Sequence, residues 1–282
     1  MKYQMSFLFR KIPVLFLLPY VLTMLFQGSK TAFMNRYPDV ETCLPVILAQ
    51  EIDDGKEKEA IKAQAVITRT NLYEKIQEGE NLYEILKEAR RKREFPYMSV
   101  DFSIGKYEKA AQETKDCILT YKGELKHIPY HEISAGTTRD GAQVFRDSSY
   151  TYLKSVDSSQ DKNSPDYLSS VYIEESQMPK ELVVEERDGA GYVLSLRADG
   201  NLLEGEAFCQ GMHLSSSNFT IQKVGDKYRF LCKGKGHGIG FSQYGGSELA
   251  KEGKNWEKIL EIYFPEMMIT NVFDVASEKR ST

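Results

Sequence analysis

The residues best suited to acid-base chemistry lie in two short segments of this 282-residue chain. The first segment follows an apolar stretch that begins at Leu44, and it contains Glu51 just before a break at residues 53–55. Apolar surroundings raise the pKa of a carboxyl group, so that it keeps a proton near neutral pH. Glu51 is therefore a candidate general acid, of the kind that protonates the leaving oxygen when a glycosidic bond breaks.

A glycine-rich loop at residues 234–246 forms the second segment and contains six glycines. Its polar side chains include His237, Ser242 and Gln243. Glycine is used where φ is positive or where the backbone approaches another group closely. The segment therefore predicts a tight loop that holds these side chains against another part of the molecule. A hairpin whose histidine only caps a turn is the alternative.

Glu59 is the alternative acid, and the two glutamates differ in their expected surroundings. Glu59 falls in the first turn of a predicted helix, where a carboxylate complements the helix dipole and caps free amides. A structural role would therefore explain it. Glu51 falls at the C-terminal end of a helix, where a negative charge is disfavoured, so its presence calls for a functional reason.

Further polar residues are candidates for supporting roles. Gln64 and Arg69 lie five residues apart, so they do not share one helix face. Gln64 falls nearer the glutamate side, whereas we interpret Arg69 as a structural hydrogen-bonding residue. A serine hydrolase built from Ser242 or Ser134 with His237 is disfavoured, because no nucleophile-elbow pattern is present and no aspartate partner is evident.

Residue periodicity and turn residues predict an α+β fold. We expect a helical half that carries Glu51, packed on a mostly antiparallel β half that carries His237 in its glycine-rich loop. The predicted helices span residues 44–52, 57–76, 81–92, 104–115 and 247–263. The predicted strands span residues 118–121, 128–133, 172–174, 181–186, 192–197, 219–224 and 227–232.

The N-terminal segment differs from the rest in being apolar. Residues 12–26 follow Lys2, Arg10 and Lys11, a positive flank that is expected to stay cytoplasmic. The run is shorter than the roughly 20 residues of a spanning helix, so a cleaved signal peptide is the alternative. We favour an uncleaved anchor, because Lys30 stands where small residues should mark a cleavage site.

The sequence therefore predicts four regions along the chain. Residues 1–30 form a cytoplasmic tail and membrane anchor, 31–43 a linker, 44–272 the folded domain and 273–282 a C-terminal tail. The domain is expected outside the cytoplasmic membrane, held there by the N-terminal helix. The net charge of −4 does not indicate the basic surface that a nucleic-acid-binding protein uses.

The spacing of the cysteines does not indicate a disulfide framework. Cys43, Cys117, Cys209 and Cys232 are widely spread and form no C-x-x-C pair. Cys209 and Cys232 flank two predicted strands and could meet across them. Buried free thiols are the commoner state at such spacing, and the sequence leaves the disulfide state open.

The segment that contains Glu51 and the glycine-rich loop together resemble a known family. Glu51 is followed eight residues later by Glu59 and then by a helix reading Ala-Ile-Lys-Ala-Gln-Ala-x-x-x-Arg-Thr at residues 60–70. With the Gly-His-Gly-x-Gly-x-Ser-Gln-x-Gly loop at 236–245, this pattern resembles the stage II sporulation protein D family and the related LytB proteins. Further matching segments lie at residues 152–157, 205–219 and 256–265, so the resemblance extends over residues 44–270.

The resemblance implies a bacterial cell-wall protein. Its expected activity is that of a peptidoglycan lytic transglycosylase, which cleaves between N-acetylmuramic acid and N-acetylglucosamine and leaves 1,6-anhydromuramyl ends. The family's catalytic glutamate is best matched by Glu51, with Glu59 as the alternative. The expected substrate-binding residues are Gln64, His131, Ser134, His237, Ser242, Gln243 and Tyr244.

The resemblance also implies partners, and it leaves a second function open. The expected partners are peptidoglycan glycan strands, the cytoplasmic membrane and other cell-wall hydrolases of a sporulation complex, with no nucleic acid. The alternative function is a non-catalytic peptidoglycan-binding or amidase-enhancer protein of the LytB type. Whether stem peptides must first be removed stays open, as does a sporulation-specific or vegetative role.

The chain also departs from the family. Relatives commonly carry Met-Pro and a bulky residue between the two glutamates, where this chain has residues 52–58 of different sequence, so substrate preference is open. Some relatives build a zinc site from His and Cys near Tyr-His-x-x-Ser-x-Gly. Here residues 130–136 have no cysteine nearby, so we expect no zinc and no cofactor.

Overall fold

A computed structural model describes residues 39–91 and 104–278 of the protein. The chain divides into residues 1–39 and a compact unit that begins at Val40. The expected membrane anchor at residues 12–26 lies outside the described residues. In the part of the chain that is described, no helix has the length and apolar character needed to cross a bilayer.

Four helices open the described part of the compact unit. They are α1 (Val40–Glu51), α2 (Lys58–Gln77), α3 (Leu82–Arg91) and α4 (Ile104–Glu113). Along α2, the small side chains Ala60, Ala63 and Ala65 are fully buried and allow neighbouring elements to approach closely. Leu48 and Ile61 pack between α1 and α2, which orients the end of α1 toward the middle of α2.

The strands that the structure describes follow in four small sheets. They are β1 (Cys117–Thr120), β2 (Tyr130–His131), β3 (Leu168–Glu174), β4 (Leu182–Arg187), β5 (Val193–Ala198), β6 (Asn201–Glu204), β7 (Phe219–Val224), β8 (Lys227–Lys233), β9 (Phe241–Ser242) and β10 (Met268–Asn271). Two antiparallel sheets have the orders β3-β8-β7 and β4-β5-β6, and β1 pairs antiparallel with β10. The short strands β2 and β9 pair in parallel, and this pairing joins the segment at Tyr130 to the glycine-rich loop.

Further helices lie between and after these strands. They are α5 (Gly141–Phe145), α6 (Gly205–Gly211), α7 (Gln243–Lys251), α8 (Trp256–Tyr263) and α9 (Val272–Glu278). Helix α2 packs against α1, α4, α7, α8 and β1. It is therefore the central element that brings α1, with Glu51, and α7, with Gln243, to one place.

The expected mixture of helices and antiparallel sheets is confirmed, and two element predictions are wrong. The single helix predicted at 247–263 is two helices, because Gly253 takes φ +86° and the Asn255 side chain accepts a hydrogen bond from Lys258 N at 3.0 Å to begin α8. The strand predicted at 128–133 is reduced to Tyr130–His131, because the backbone of Ile128 bonds to a side chain on α2.

Element boundaries also differ from those expected. Helix α1 begins at Val40, so residues 40–43 of the expected linker are helical. Helix α9 occupies most of the expected C-terminal tail. The short elements α5, α6, β6, β9 and β10 were not predicted, because elements of two to seven residues give little periodic signal.

Candidate active site

Glu51 is the last residue of α1, and its carboxylate faces two side chains one turn apart on α2. Gln64 Nε2 donates a hydrogen bond to Glu51 Oε2 at 3.2 Å, and the Thr68 hydroxyl donates to the same oxygen. Residues four apart lie on the same helix face, which is why Gln64 and Thr68 act together. The Tyr130 hydroxyl also hydrogen-bonds to the Glu51 carboxylate.

Burial is the largest influence on the pKa of the Glu51 carboxyl group. It raises the pKa of Glu51 above its ordinary value, while hydrogen bonds from Thr68, Tyr130 and Gln64 and the charge of Lys75 act in the opposite direction. Because Oε2 already accepts two hydrogen bonds, a proton on the carboxyl group is favoured at Oε1. The group is thus suited to hold and donate a proton.

Gln243, the first residue of α7, joins the glycine-rich segment to Glu51. Its Nε2 donates to the main-chain oxygen of Glu51 at 2.6 Å and to Gln64 Oε1 at 3.2 Å. Since Gln64 Oε1 accepts this bond, the amide nitrogen of Gln64 is directed toward the Glu51 carboxylate. The two sequence segments are therefore joined by one chain of hydrogen bonds.

A buried aspartate fixes the start of α7. Asp161 Oδ1 accepts a hydrogen bond from Ser242 Oγ at 2.8 Å, and Asp161 Oδ2 accepts from Ser134 N at 2.8 Å and Ser158 Oγ at 2.9 Å. Ser242 Oγ in turn accepts from Gly245 N at 3.3 Å and caps the helix. Asp161 thereby places Gln243, the residue after Ser242, against Glu51.

Close packing around Asp161 requires a glycine at position 245. A Cβ atom there would lie 2.3 Å from the Tyr263 hydroxyl oxygen and 2.6 Å from Ser158 Oγ. Those two groups are themselves hydrogen-bonded at 2.7 Å. Any side chain at Gly245 would therefore displace the groups that hold Asp161.

A cleft of about 530 Å³ opens beside the Glu51 carboxylate. Helices α1, α2 and α3 form one side, and the segment around Tyr130 and the glycine-rich loop form the other. Polar groups on its walls include Glu51, Lys75, Glu88, His127, Tyr130 and His237. The cleft thus contains a protonatable carboxyl group, an ammonium group and two imidazoles.

His237 lines this cleft, and its conformation is fixed by the loop. Its Nδ1 accepts a hydrogen bond from Ile239 N at 3.1 Å, and its carbonyl oxygen accepts from Arg139 at 3.0 Å. Arg139 is buried and pairs with Asp188 and Glu206. Burial lowers the pKa of His237, so its ring is neutral near pH 7.

The loop glycines allow this approach. Gly238 has φ +75°, and a Cβ atom there would lie 2.4 Å from the Tyr192 ring. Gly240 has φ +74°, and a Cβ atom would lie 2.1 Å from the carbonyl oxygen of Pro129. Both positions combine a left-handed backbone with contact too close for a side chain.

Several predicted substrate-binding residues are buried away from the cleft. Ser134 and Ser242 are 0% exposed and hold the network around Asp161. His131 is 4% exposed, and its ring centre lies 5.7 Å from that of His237. Tyr244 does not line the cleft, and Lys56 Nζ lies 5.2 Å from its ring centre.

His131 has an unusual hydrogen-bond state. Its Nδ1 lies 3.1 Å from the carbonyl oxygen of Ile239, whereas its buried Nε2 has no hydrogen-bond partner among the described residues. Burial lowers the pKa of His131 to about 3. His131 is therefore a buried, neutral ring that packs beside the ring of His237.

Glu59 has a structural environment and does not line the cleft. Its Oε2 accepts a hydrogen bond from Trp256 N, the first residue of α8, at 2.9 Å. Its Oε1 accepts from Lys62 Nζ at 2.7 Å, and Lys62 also pairs with Glu113 at 2.6 Å. Arg69 is likewise structural, because its buried guanidinium pairs with Glu41 and donates to backbone oxygens.

Sequence reasoning missed several residues of the cleft. Thr68, Lys75, Glu88 and Tyr130 line the cleft but are not among the residues that the sequence predicted for the site. Spacing could have found Thr68, which lies one helical turn after Gln64. Lys75 and Glu88 gave no signal, because charged residues on helices are usually solvated.

The four cysteines are free thiols in the structure. Within residues 39–91 and 104–278, no three or more His, Cys, Asp or Glu side chains are grouped so as to hold a metal ion. The expected absence of zinc stays a prediction.

The cleft and its protonatable carboxyl group define a mixed helix-and-sheet protein with a candidate acid site. A family model described as stage II sporulation protein matches residues 27–121. Stage II sporulation protein D of Bacillus subtilis is 26% identical over 243 residues, covering 77% of this chain and 70% of that protein. Its counterpart of Bacillus amyloliquefaciens is 25% identical over 313 aligned positions, covering 89% and 91%.

A shorter, local similarity was also found. The amidase enhancer of Bacillus subtilis is 41% identical over 56 residues, which cover 20% of this chain and 8% of that protein. Together with the family model over residues 27–121 and the two sporulation proteins, this match supports a similarity to the stage II sporulation protein D family. The resemblance found in the sequence motifs is thereby confirmed.

Proposed function

We propose that this protein is a membrane-anchored peptidoglycan lytic transglycosylase, acting in sporulation or in cell-wall remodelling. The observation that carries the proposal is the setting of Glu51, whose carboxyl group lines a cleft and has a raised pKa. A group that only bound sugar hydroxyls would function as a solvated carboxylate. A proton held near neutral pH is instead the requirement for an acid catalyst.

The proposed reaction uses one carboxyl group twice. Glu51 donates its proton from Oε1 to the glycosidic oxygen, and the bond from that oxygen to C1 of N-acetylmuramic acid breaks. The C6 hydroxyl of the same sugar attacks C1 and returns its proton to Glu51. The products are a free 4-hydroxyl on N-acetylglucosamine and a 1,6-anhydro ring, and no water is consumed.

The surrounding side chains support this role without taking part in the proton transfer. Gln64 and Thr68 stabilise the ionised carboxylate after the first step by donating to Oε2. Gln243 holds the end of α1 in place. His237 is neutral and lies across the same cleft, where its ring can contact sugar hydroxyls.

The N-terminal segment determines the proposed location. Residues 12–26 are apolar and follow three positive residues, so we place the folded domain at the outer face of the cytoplasmic membrane. Fractionation of cells that express the intact chain tests this. Recovery in the cytoplasm, or release of a form that lacks residues 1–30, would show that the anchor is not used as proposed.

A non-catalytic wall-binding protein is the second candidate, favoured by the local similarity to an amidase enhancer. The test incubates the purified chain with intact and with peptide-stripped peptidoglycan and measures the fragments by mass spectrometry. We expect muropeptides with 1,6-anhydro ends. Wall binding without fragments from either substrate would support the binding protein.

The same measurement excludes or detects hydrolysis. Glu88 also lines the cleft, and a hydrolase needs a second carboxylate to activate water or to attack the sugar. A hydrolysis product is one water molecule heavier than the anhydro product. Fragments of the heavier mass alone would replace the lytic transglycosylase by a glycoside hydrolase that uses both carboxyl groups.

A further inference from the structure

A second cavity of about 430 Å³ adjoins the cleft that contains Glu51. His127 lines both cavities, so the two meet at this side chain. Helix α2 and the residue that follows it, Glu78, form a common side, with Thr68 to Lys75 in the first cavity and Glu74 to Glu78 in the second. At 1.5 Å per residue, the stretch from Thr68 to Glu78 is about 15 Å long, which exceeds one sugar ring.

The junction between the cavities is held firmly in place. Asn71 on α2 donates to the carbonyl oxygen of Ile128 at 2.9 Å and accepts from its N–H at 2.7 Å. The Tyr152 hydroxyl donates to the carbonyl oxygen of His127 at 2.7 Å. Because these partners are buried, the groove is formed before any ligand binds.

The second cavity has the groups that suit a carbohydrate. Tyr150 is partly exposed, and its ring packs against Phe145 at 4.3 Å and Tyr152 at 6.3 Å between centres. Gln77 offers an amide, and Glu74 and Glu78 offer carboxylates, all of which bond to hydroxyl groups. An aromatic face beside a few polar groups is typical of a small-molecule or sugar site.

We propose that the second cavity binds further sugar units of the glycan strand that is cut beside Glu51. This inference rests on the proposed function, which it extends by naming where the strand continues. To fill both cavities, a glycan strand must then be longer than the disaccharide at the cleaved bond. The rate on short fragments should be lower, because they cannot fill both cavities.

The test measures kcat/KM on peptide-stripped glycan oligosaccharides separated by length. For the parent chain we expect kcat/KM to rise with length. Gln77→Ala and Tyr150→Ala should reduce the ratio between long and short strands by about five- to tenfold, the size expected for one or two lost contacts. Gln222→Ala is the matched control, because Gln222 is exposed on β7 and lies outside both cavities.

Two outcomes would overturn the inference. One is a parent rate that does not depend on strand length, and the other is an equal loss on strands of every length in both variants. If no strand yields anhydro ends, the proposed function fails. Sugar binding in the second cavity is then tested by measuring affinity. The affinity of the parent chain for the same oligosaccharides should then rise with length, and Gln77→Ala should remove that rise.

Discussion

Gln243 donates a hydrogen bond of 2.6 Å to the main-chain oxygen of Glu51, although 192 positions separate the two residues. The last carbonyl groups of a helix have no partner within it, so a side chain from elsewhere can fix the helix end. Gln243 does this and also orients Gln64 toward the Glu51 carboxylate. One amide therefore determines both the place and the hydrogen bonding of the candidate acid.

Replacing Gln243 by alanine should thus affect rate more than substrate affinity. The change leaves buried acceptors on Glu51 and Gln64 without a donor, which costs about 1–3 kcal/mol of folding free energy. We expect kcat to fall at least about tenfold with little change in KM, since an acid displaced from its position loses transition-state contact. Steady-state kinetics and urea unfolding measure the two effects, and unchanged kcat in a folded variant would contradict the positioning role.

Glu51 should lower stability at neutral pH, as residues at active sites often do. The unfolded chain loses the Glu51 proton near its ordinary pKa of 4.5, whereas the folded chain keeps it to a higher pH. Stability therefore falls as pH rises from the unfolded pKa through the raised folded pKa. Glu51→Gln cannot ionise, so it should have the higher Tm at pH 7.

The control for this effect is acidic pH. Below the unfolded pKa of Glu51 the carboxyl group is protonated in both states, so the Tm difference between parent and Glu51→Gln should shrink. Thermal unfolding from pH 4 to pH 8 measures this trend. A glutamine variant that is less stable than the parent at pH 7, with no dependence on pH, would show that Glu51 is well solvated.

Long, regular elements could be predicted from the sequence, and the arrangement of the site only in part. Helix α2 was expected at 57–76 and spans Lys58–Gln77, because its buried alanine and isoleucine residues repeat at helical spacing. The closeness of Gln64 to Glu51 and the place of Glu59 in the first turn of α2 also followed from helix position. These features depend on neighbours in the chain, which a sequence shows directly.

The burial of Ser134 and Ser242 could not be predicted. Both serve Asp161, a residue in a short 3-10 helix that gave no motif, and the three come together only through tertiary packing. The parallel pairing of β2 with β9 is likewise set by contacts across 111 positions, between Tyr130 and Phe241. A pattern of single residues does not show which distant partner each will meet.

His131 should make the fold sensitive to acid. Its pKa is about 6.5 in the unfolded chain and about 3 when buried, so only the unfolded chain takes up the proton between these values. Stability therefore falls as pH decreases from 6.5 toward 3, by up to about 1.4 kcal/mol per pH unit for this one proton. Urea unfolding between pH 4 and pH 7 measures the slope.

His131→Asn supplies the comparison, since asparagine does not titrate and can still donate to the carbonyl oxygen of Ile239. We expect a lower stability at pH 7, from the changed packing, together with a shallower fall in acid. The lowered pKa of His237 contributes a slope of the same sign that remains in the variant. Equal slopes in parent and variant would contradict this, because they would mean that the pKa of His131 is the same in the folded and unfolded chains.

The two glutamates give the most direct test of the acid. Glu51→Gln keeps the shape of the side chain but cannot donate and recover a proton, so formation of anhydro ends should fall by a factor of about 10² to 10⁴. Wall binding should persist, which a sedimentation assay with peptidoglycan can show. Glu59→Gln should retain most activity, because Glu59 contacts α8 and Lys62 and does not line the cleft.

The expected cost of Glu59→Gln is structural. Losing the charge at the first turn of α2 and weakening the contact with Trp256 N should reduce stability by up to roughly 1 kcal/mol. Lys62 keeps its second partner, Glu113, which limits the loss. An inactive Glu59→Gln beside an active Glu51→Gln would reverse the assignment, because the proton would then come from a residue outside the cleft.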